Sequence, residues 1–385
     1  MSGQDRAPGQ WPADAAARVA VVLGTRPGIV KLAPLLRRLA SEDVPHFAIH
    51  SGQHYSPAMD AVFFVDMGLP APGCRIGNCR PGITQGAQTA EMLAGIERVL
   101  AAERPGIVLV GGDANTNLAG ALAARKLGLL VGHVEAGLRS WDWRMPEEHN
   151  RTMIDHISDV LFVPSERARL IAESERVRGE IVVAGSTLGE ALRYTLTQVS
   201  ADGGRRGGQS GAGGYVLVTL HRQENVDDRA VLGGLVGAVG ELPAKLGVPV
   251  RWPLHPRTKV RLAEFGLLDG LLTVPGVVTG EPGGHRDFVR LLAGAALVLT
   301  DSGGVQQEAC ILRVPCVTAR ESTEWQETVR AGANMVAGTD SGDIVAACAQ
   351  MIERPGSWAD PFEVGGHDAS ELIVRYCQAL LRGRS

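Results

Sequence analysis

Short apolar runs alternate along this chain with longer segments whose apolar residues recur at helical spacing. ARVAVVLG (17–24) passes through a glycine turn into the helical KLAPLLRRLA (31–40). HFAIHSG (46–52), GIVLVGGD (106–113), LGLLVGHVE (127–135), DVLFVPS (159–165) and EIVVAGS (180–186) continue the series, and NLAGALAARKLG (117–128) is helical between two of them. Runs that stay apolar without alternating are what strands buried on both faces require. Strand and helix in alternation predict parallel βαβ units and a doubly wound sheet.

The pattern breaks at ADGGRRGGQSGAGG (201–214), too polar and glycine-rich to pack, which reads as a flexible surface loop near a domain junction. It restarts with YVLVTLH (215–221), VPVRWPLH (248–255), GVVTG (276–280), ALVLTDSGG (296–304) and VPCVTAR (314–320). At 385 residues the chain exceeds one typical core. The expected fold is therefore α/β: two Rossmann-like doubly wound domains, over 17–190 and 215–365, with the main crevice between them. The last helical segment, DASELIVRYCQALLRG (368–383), lies in a tail (366–385) expected to pack back on the N-terminal domain. The polar opening, MSGQDRAPGQWPADAA, reads as a disordered leader.

Composition narrows the function classes. A net charge of −4 offers no basic footprint for nucleic acid or an anionic membrane surface. No apolar run approaches the roughly 20 residues of a membrane span. The six cysteines, at 74, 79, 310, 316, 348 and 377, form no C-x-x-C pair. They read as buried free thiols, which suits a reducing, cytoplasmic setting.

The densest chemistry lies in HVEAGLRSWDWRMPEEHNR (133–151). Glu135 closes an apolar run, and Glu147 follows Pro146 at the start of a helix whose apolar period is Met153, Ile154, Ile157. Carboxylates from two elements suit acid/base work on carbon; alternatively, Glu147 and Glu148 merely complement the helix dipole. Asp113 ends another buried run, ahead of Asn115 and Thr116, either of which could cap the next helix. In GTRPGIVK (24–31), Arg26 and Lys31 could balance a diphosphate, or be solvated cations. In the second half, Ser302, Gly303 and Gly304 turn a strand into a helix starting near Val305, a ready anion site. Glu308, a turn further on, could accept from ribose hydroxyls. His221 ends a strand, where a histidine is as readily catalytic as structural; His54 and His255 follow strands in weaker context.

GTRPGIVK, SGQHYSPAMD, GGDANTNLAGALAA, GHVEAGLRS, RMPEEHNR, LHRQEN and TDSGGVQQEA, with STEWQE after it, occur in the order found in one family. Together they resemble the non-hydrolysing UDP-N-acetylglucosamine 2-epimerases. The resemblance implies the two-domain GT-B fold with a UDP-sugar in its interdomain cleft. It implies inversion at C2 of UDP-GlcNAc to give UDP-ManNAc, by loss of UDP to a 2-acetamidoglucal and re-addition. It places the catalytic groups at Asp113, Glu135, Glu147 and His221. Arg26 and Lys31 match the phosphate-side cations; Ser302, Gly303, Gly304 and Glu308 match the diphosphate and ribose site; Phe288 matches an apolar contact near the uracil. No metal or other cofactor is implied, so activity is expected to be insensitive to chelators, and the family is commonly homodimeric.

Some positions depart from the family pattern. Gly28 replaces a glutamate, Ala114 a threonine, and Trp325 stands where STEWQE loses the arginine of the common TERPE. Gln223 and Ser56 differ in the region used for an activating second UDP-GlcNAc, which leaves allosteric activation open. SWDWRMPEE is closer to members acting on modified UDP-amino sugars, which leaves the exact sugar open. Competing readings are a hydrolysing 2-epimerase releasing UDP and ManNAc, a GT-B glycosyltransferase, and a catalytically silent nucleotide-sugar binder.

Overall fold

The computed structural model describes residues 18–53, 57–77, 82–201, 214–354 and 356–382. His54, Ser56, Cys79 and most of the glycine-rich segment lie outside them. The described chain divides into two compact units, one comprising 1–139, 143–191 and 363–385, the other 140–142 and 192–362.

The first unit opens with β1 (Val19–Leu23), α1 (Arg26–Ser41), β2 (His46–His50), α2 (Pro57–Asp66), β3 (Cys74–Arg75) and α3 (Gln85–Glu103). It continues through β4 (Ile107–Gly111), α4 (Asn115–Lys126), β5 (Leu130–Val134), α5 (Pro146–Ile157), β6 (Val160–Val163), α6 (Glu166–Ser174) and β7 (Glu180–Val183). The strands form one parallel sheet in the order β3-β2-β1-β4-β5-β6-β7. β1 and β4 are buried at every position, which is why they read as unbroken apolar runs.

After α7 (Thr187–Ala201), the second unit carries β8 (Val216–Thr219), α8 (Gln223–Val226), α9 (Arg229–Leu246), β9 (Val250–Pro253), α10 (Pro256–Glu264) and α11 (Leu268–Leu272). Then come β10 (Val277–Gly280), α12 (His285–Ala293), β11 (Leu297–Thr300), α13 (Gly303–Ile311) and β12 (Cys316–Thr318). It closes with α14 (Gln326–Arg330), β13 (Asn334–Val336) and α15 (Ser341–Ile352). Its parallel sheet has the order β10-β9-β8-β11-β12-β13, with a core around Trp252, Leu235, Val239 and Leu299.

The terminal helix α16 (Ala369–Arg382) belongs to the first unit and packs on α1. Glu190 receives the Ser370 backbone N–H at 2.8 Å, and Arg38 meets Asp368 at 3.5 Å. Cys310, Cys316, Cys348 and Cys377 are buried free thiols and Cys74 is half-buried. Burial pushes the Cys310, Cys348 and Cys377 thiols up to about 12, so they act as small apolar residues. Among the described residues, no helix is long and apolar enough to cross a membrane.

Candidate active site

In the first sheet the strand order reverses between β1 and β4, and doubly wound sheets hold ligands beyond the carboxyl ends of strands at such a point. β1 leads there into Arg26 and Lys31, β4 into Asp113, and β5 into Glu135. Thr25 caps α1 by accepting the Gly28 N–H at 3.2 Å, which starts the helix at Arg26. Gly24 must lack a side chain, because a Cβ there would fall 1.9 Å from Ser51 Oγ. The Arg26 guanidinium lies 5.8 Å from the Phe63 ring centre. Lys31 Nζ donates to Glu135 Oε1 at 2.5 Å.

Glu135 has φ +67°, a left-handed conformation that non-glycine residues rarely take. The Glu135 and Ala136 N–H groups both donate to the Phe162 carbonyl of β6, at 3.0 and 3.2 Å, and so fix the turn. Burial raises the Glu135 carboxyl above the usual carboxylate range; Lys31 and Arg151 pull it down, and the charge of Asp113 adds to the rise. A carboxyl in that state can hold or release a proton nearer neutrality than a solvated glutamate.

The Asp113 carboxylate is gripped by Arg151, and Asn150 donates to the Asp113 carbonyl at 2.9 Å. Neither Asn115 nor Thr116 caps α4. Ala114 is the cap residue and makes no side-chain bond; instead Gln53 Oε1 accepts from Thr116 N at 3.0 Å and from its hydroxyl at 2.7 Å. A distant side chain thus does the work that local spacing assigned to a neighbour.

Helix α5 departs most from the sequence reading. Of its expected apolar period only Ile154 is buried; Met153 is 45% exposed. The inward face is polar: Glu148, Asn150, Arg151 and Asp155 are buried, while Glu147 in the first turn is half-buried. Arg151 bridges Asp113 and Glu148, with 2.9 Å to Glu148 Oε2. Asp155 accepts from His133 Nδ1 at 2.7 Å and from the Gly137 N–H at 3.1 Å, and pairs with Arg139 at 2.8 Å. Burial opposes the charge on Asp155, but His133 and Arg139 together hold its carboxyl below the usual range. The one sequence signal for this layer was His133 itself, a polar residue inside an apolar strand.

In the second sheet the order reverses between β8 and β11, and His221 and Ser302 stand just beyond those strands. Asp301, which sequence reading passed over as a strand end, links them. It is wholly buried and accepts the His221 N–H at 3.0 Å, the Arg222 N–H at 2.9 Å and Asn225 Nδ2 at 3.1 Å. His221 Nδ1 lies 3.4 Å from the same carboxylate, and its ring centre lies 5.3 Å from that of His255.

Ser302 is the cap residue of α13, which begins at Gly303, two residues earlier than its pattern suggested. Glu308 is buried within α13, and Phe288 is half-buried on α12 against the cluster of Leu292 and Val298. Gly303 is required by close approach, because a Cβ would come 2.0 Å from Glu324 Oε1. Arg320 holds that glutamate at 2.9 Å. Gly303→Ala is therefore expected to displace Glu324 and cost about 1–3 kcal/mol, as overpacking does. Thermal melts would register the loss.

A family model described as UDP-N-acetylglucosamine 2-epimerase matches residues 37–378. The chain belongs to the UDP-N-acetylglucosamine 2-epimerase family. It is 42% identical to the UDP-N-acetylglucosamine 2-epimerase of Methanocaldococcus jannaschii over 93% of this chain and 98% of that one. It is 36% identical to the UDP-2,3-diacetamido-2,3-dideoxy-D-glucuronate 2-epimerase of Pseudomonas aeruginosa, over 94% of this chain and 100% of that one. The crystal structure of the M. jannaschii enzyme in complex with UDP-GlcNAc and UDP superposes with a TM-score of 0.86, covering 94% of this chain and 99% of that one. The Neisseria meningitidis enzyme bound to UDP-GlcNAc gives 0.84 at 27% identity, covering 93% and 99%. The two parallel sheets of seven and six strands are those of a GT-B type epimerase.

Proposed function

We propose that this family member epimerises C2 of a UDP-2-acetamido sugar, with UDP-GlcNAc to UDP-ManNAc the reaction its relatives favour. The observation carrying the reading is the pairing at the first switch point: Asp113 and Glu135 leave adjacent strands, each against a cation, buried Arg151 and half-buried Lys31. The C2 proton of a 2-acetamido sugar is not acidic, so its removal must be coupled to departure of UDP from C1. The bonds C2–H and C1–O break, giving a 2-acetamidoglucal and UDP. Re-addition forms C1–O again and returns a proton to the opposite face of C2. Two acid/base groups satisfy that need, and Asp113, Glu135 and Glu147 are the candidates, with His221 a fourth group in the second unit.

The second unit supplies the nucleotide end. The Ser302-Gly303-Gly304 turn opens α13, and the N–H groups of its first turn are assigned to the diphosphate, while the Ser302 N–H donates to Thr300 Oγ1 at 3.0 Å. Glu308 is assigned to the ribose, Phe288 to the uracil, and Arg26 and Lys31 to the phosphate charge. The unpaired thiols accord with a cytoplasmic setting, and a homodimer is the assembly we assign from the family likeness, to be checked by sedimentation. Incubation with UDP-GlcNAc in deuterated water should place deuterium at C2 of the product. Absence of exchange with every UDP-2-acetamido sugar in a panel, including 2,3-diacetamido uronates, would sink the reading. Time courses of free UDP against UDP-ManNAc separate it from a hydrolysing 2-epimerase.

The Lys31–Glu135 pair also predicts a pH effect. Lys31 lowers the Glu135 pKa by charge and hydrogen bond, so Lys31→Met should raise it further. If Glu135 works as a base, the acidic limb of kcat/KM moves to higher pH; if as an acid, the alkaline limb does. A pH–rate profile thus assigns its role, and two unmoved limbs would remove Glu135 from the proton transfers.

A further inference from the structure

The buried layer beneath the strand ends does more than fill space. His133 lies within β5 and is fully buried, with Nδ1 2.7 Å from Asp155 Oδ1 and Nε2 3.1 Å from the Gly112 carbonyl. The ring thus stands between the Asp155 carboxylate and the Gly112 carbonyl and joins the two. The other oxygen of Asp155 accepts the Gly137 N–H at 3.1 Å and faces Arg139 Nη1 at 2.8 Å. Arg139 in turn donates to both oxygens of Glu175, at 2.9 and 2.6 Å. Gly112 immediately precedes Asp113, and Gly137 follows Glu135 by two residues. Asp155 stands on α5, the helix whose first turn carries Glu147. One buried carboxylate is therefore tied to the backbone beside two of the candidate acid/base groups and to the helix bearing the third.

We infer that Asp155, acting through His133 and Gly137, is a positioning residue that sets the spacing of Asp113 and Glu135 for the proton transfers. This rests on the C2-epimerase reading above. Glu135 needs such a support because its left-handed backbone would relax if the following turn were released. A hydrophobic isostere would be the cheaper way to fill a buried site if packing were its whole purpose. The polar layer instead fixes directions, since each hydrogen bond has one geometry.

Asp155→Asn keeps the shape but turns one acceptor oxygen into an NH2 donor, facing either His133 or the Gly137 N–H with Arg139. Misplacement by about 1 Å at a reacting centre costs on the order of 10²-fold. The folded variant should show kcat reduced by roughly 10- to 10²-fold, with KM and UDP affinity within a few-fold of the parent. Because removal and return of the proton would no longer be matched, more turnovers should end with glycal and UDP in solution. A purely structural role would lower the melting temperature and the folded fraction without changing that partition. His133→Gln replaces the ring that joins Asp155 to the Gly112 carbonyl with a side chain whose one donor nitrogen can keep at most one of those links; it leaves Asp155 paired with Gly137 and Arg139, and decides the matter if Asp155→Asn does not fold. Either folded variant with kcat and product partition within twofold of the parent overturns the inference. Parent enzyme that exchanges no hydrogen at C2 overturns the functional reading instead, so the two failures are distinct.

Discussion

Glu135→Gln should reduce turnover of UDP-GlcNAc by about 10²- to 10⁴-fold, the usual worth of a positioned acid or base, while UDP still binds. The amide keeps the shape, can still accept from Lys31 Nζ, and retains the backbone bonds from Glu135 and Ala136 to Phe162. What it lacks is a titratable group. Burial already disfavours the charged form at this position, so a neutral amide relieves desolvation while losing the attraction of Lys31. The two changes oppose each other, and the melting temperature should move little. The loss should therefore fall on kcat and on C2 deuterium exchange together, the pattern of an interaction made in the transition state. Turnover and exchange at parental rates would show that Glu135 transfers no proton.

Arg151→Leu should strongly destabilise the first unit. The Arg151 side chain is 3% exposed and lies between the carboxylates of Asp113 and Glu148, and Glu148 is itself 2% exposed. Without the guanidinium, Glu148 is a buried charge with its cation removed, a defect of about 3–5 kcal/mol. For a unit of this size that is a fall in melting temperature on the order of 10 °C. Adding Glu148→Leu removes the stranded charge and should recover part of the stability but not the activity, because Asp113 stays without its anchor. Arg151→Lys should fall between, since an ammonium lacks the planar fork that spans two carboxylates. Calorimetric melts of the three variants check the ordering. A double variant no more stable than Arg151→Leu alone would mean that Glu148 is not the source of the cost.

By itself the sequence determined the fold class and most strands, because parallel strands buried on both faces must be apolar throughout, and such runs are visible without any partner. It also placed Asp113, Glu135, His221 and Ser302 at strand ends, since a charged or polar residue closing an apolar run marks that point. It missed β3, two residues long, and β13, three residues long, both at sheet edges, where so short a segment carries no period. Only the tertiary structure decided which groups meet. Lys31 and Glu135 pair across a separation of 104 residues, Asp301 gathers the turns at His221 and Arg222, and Gln53 caps a helix beyond its own strand. Helix α5 shows why. Besides Ile154 its buried residues are Glu148, Asn150, Arg151 and Asp155, so a rule that sends apolar residues inward assigns part of that face to the outside. The rule fails there because Asn150, Arg151 and Asp155 find partners on other elements and Arg151 also holds Glu148, and partners distant in sequence leave no periodic trace.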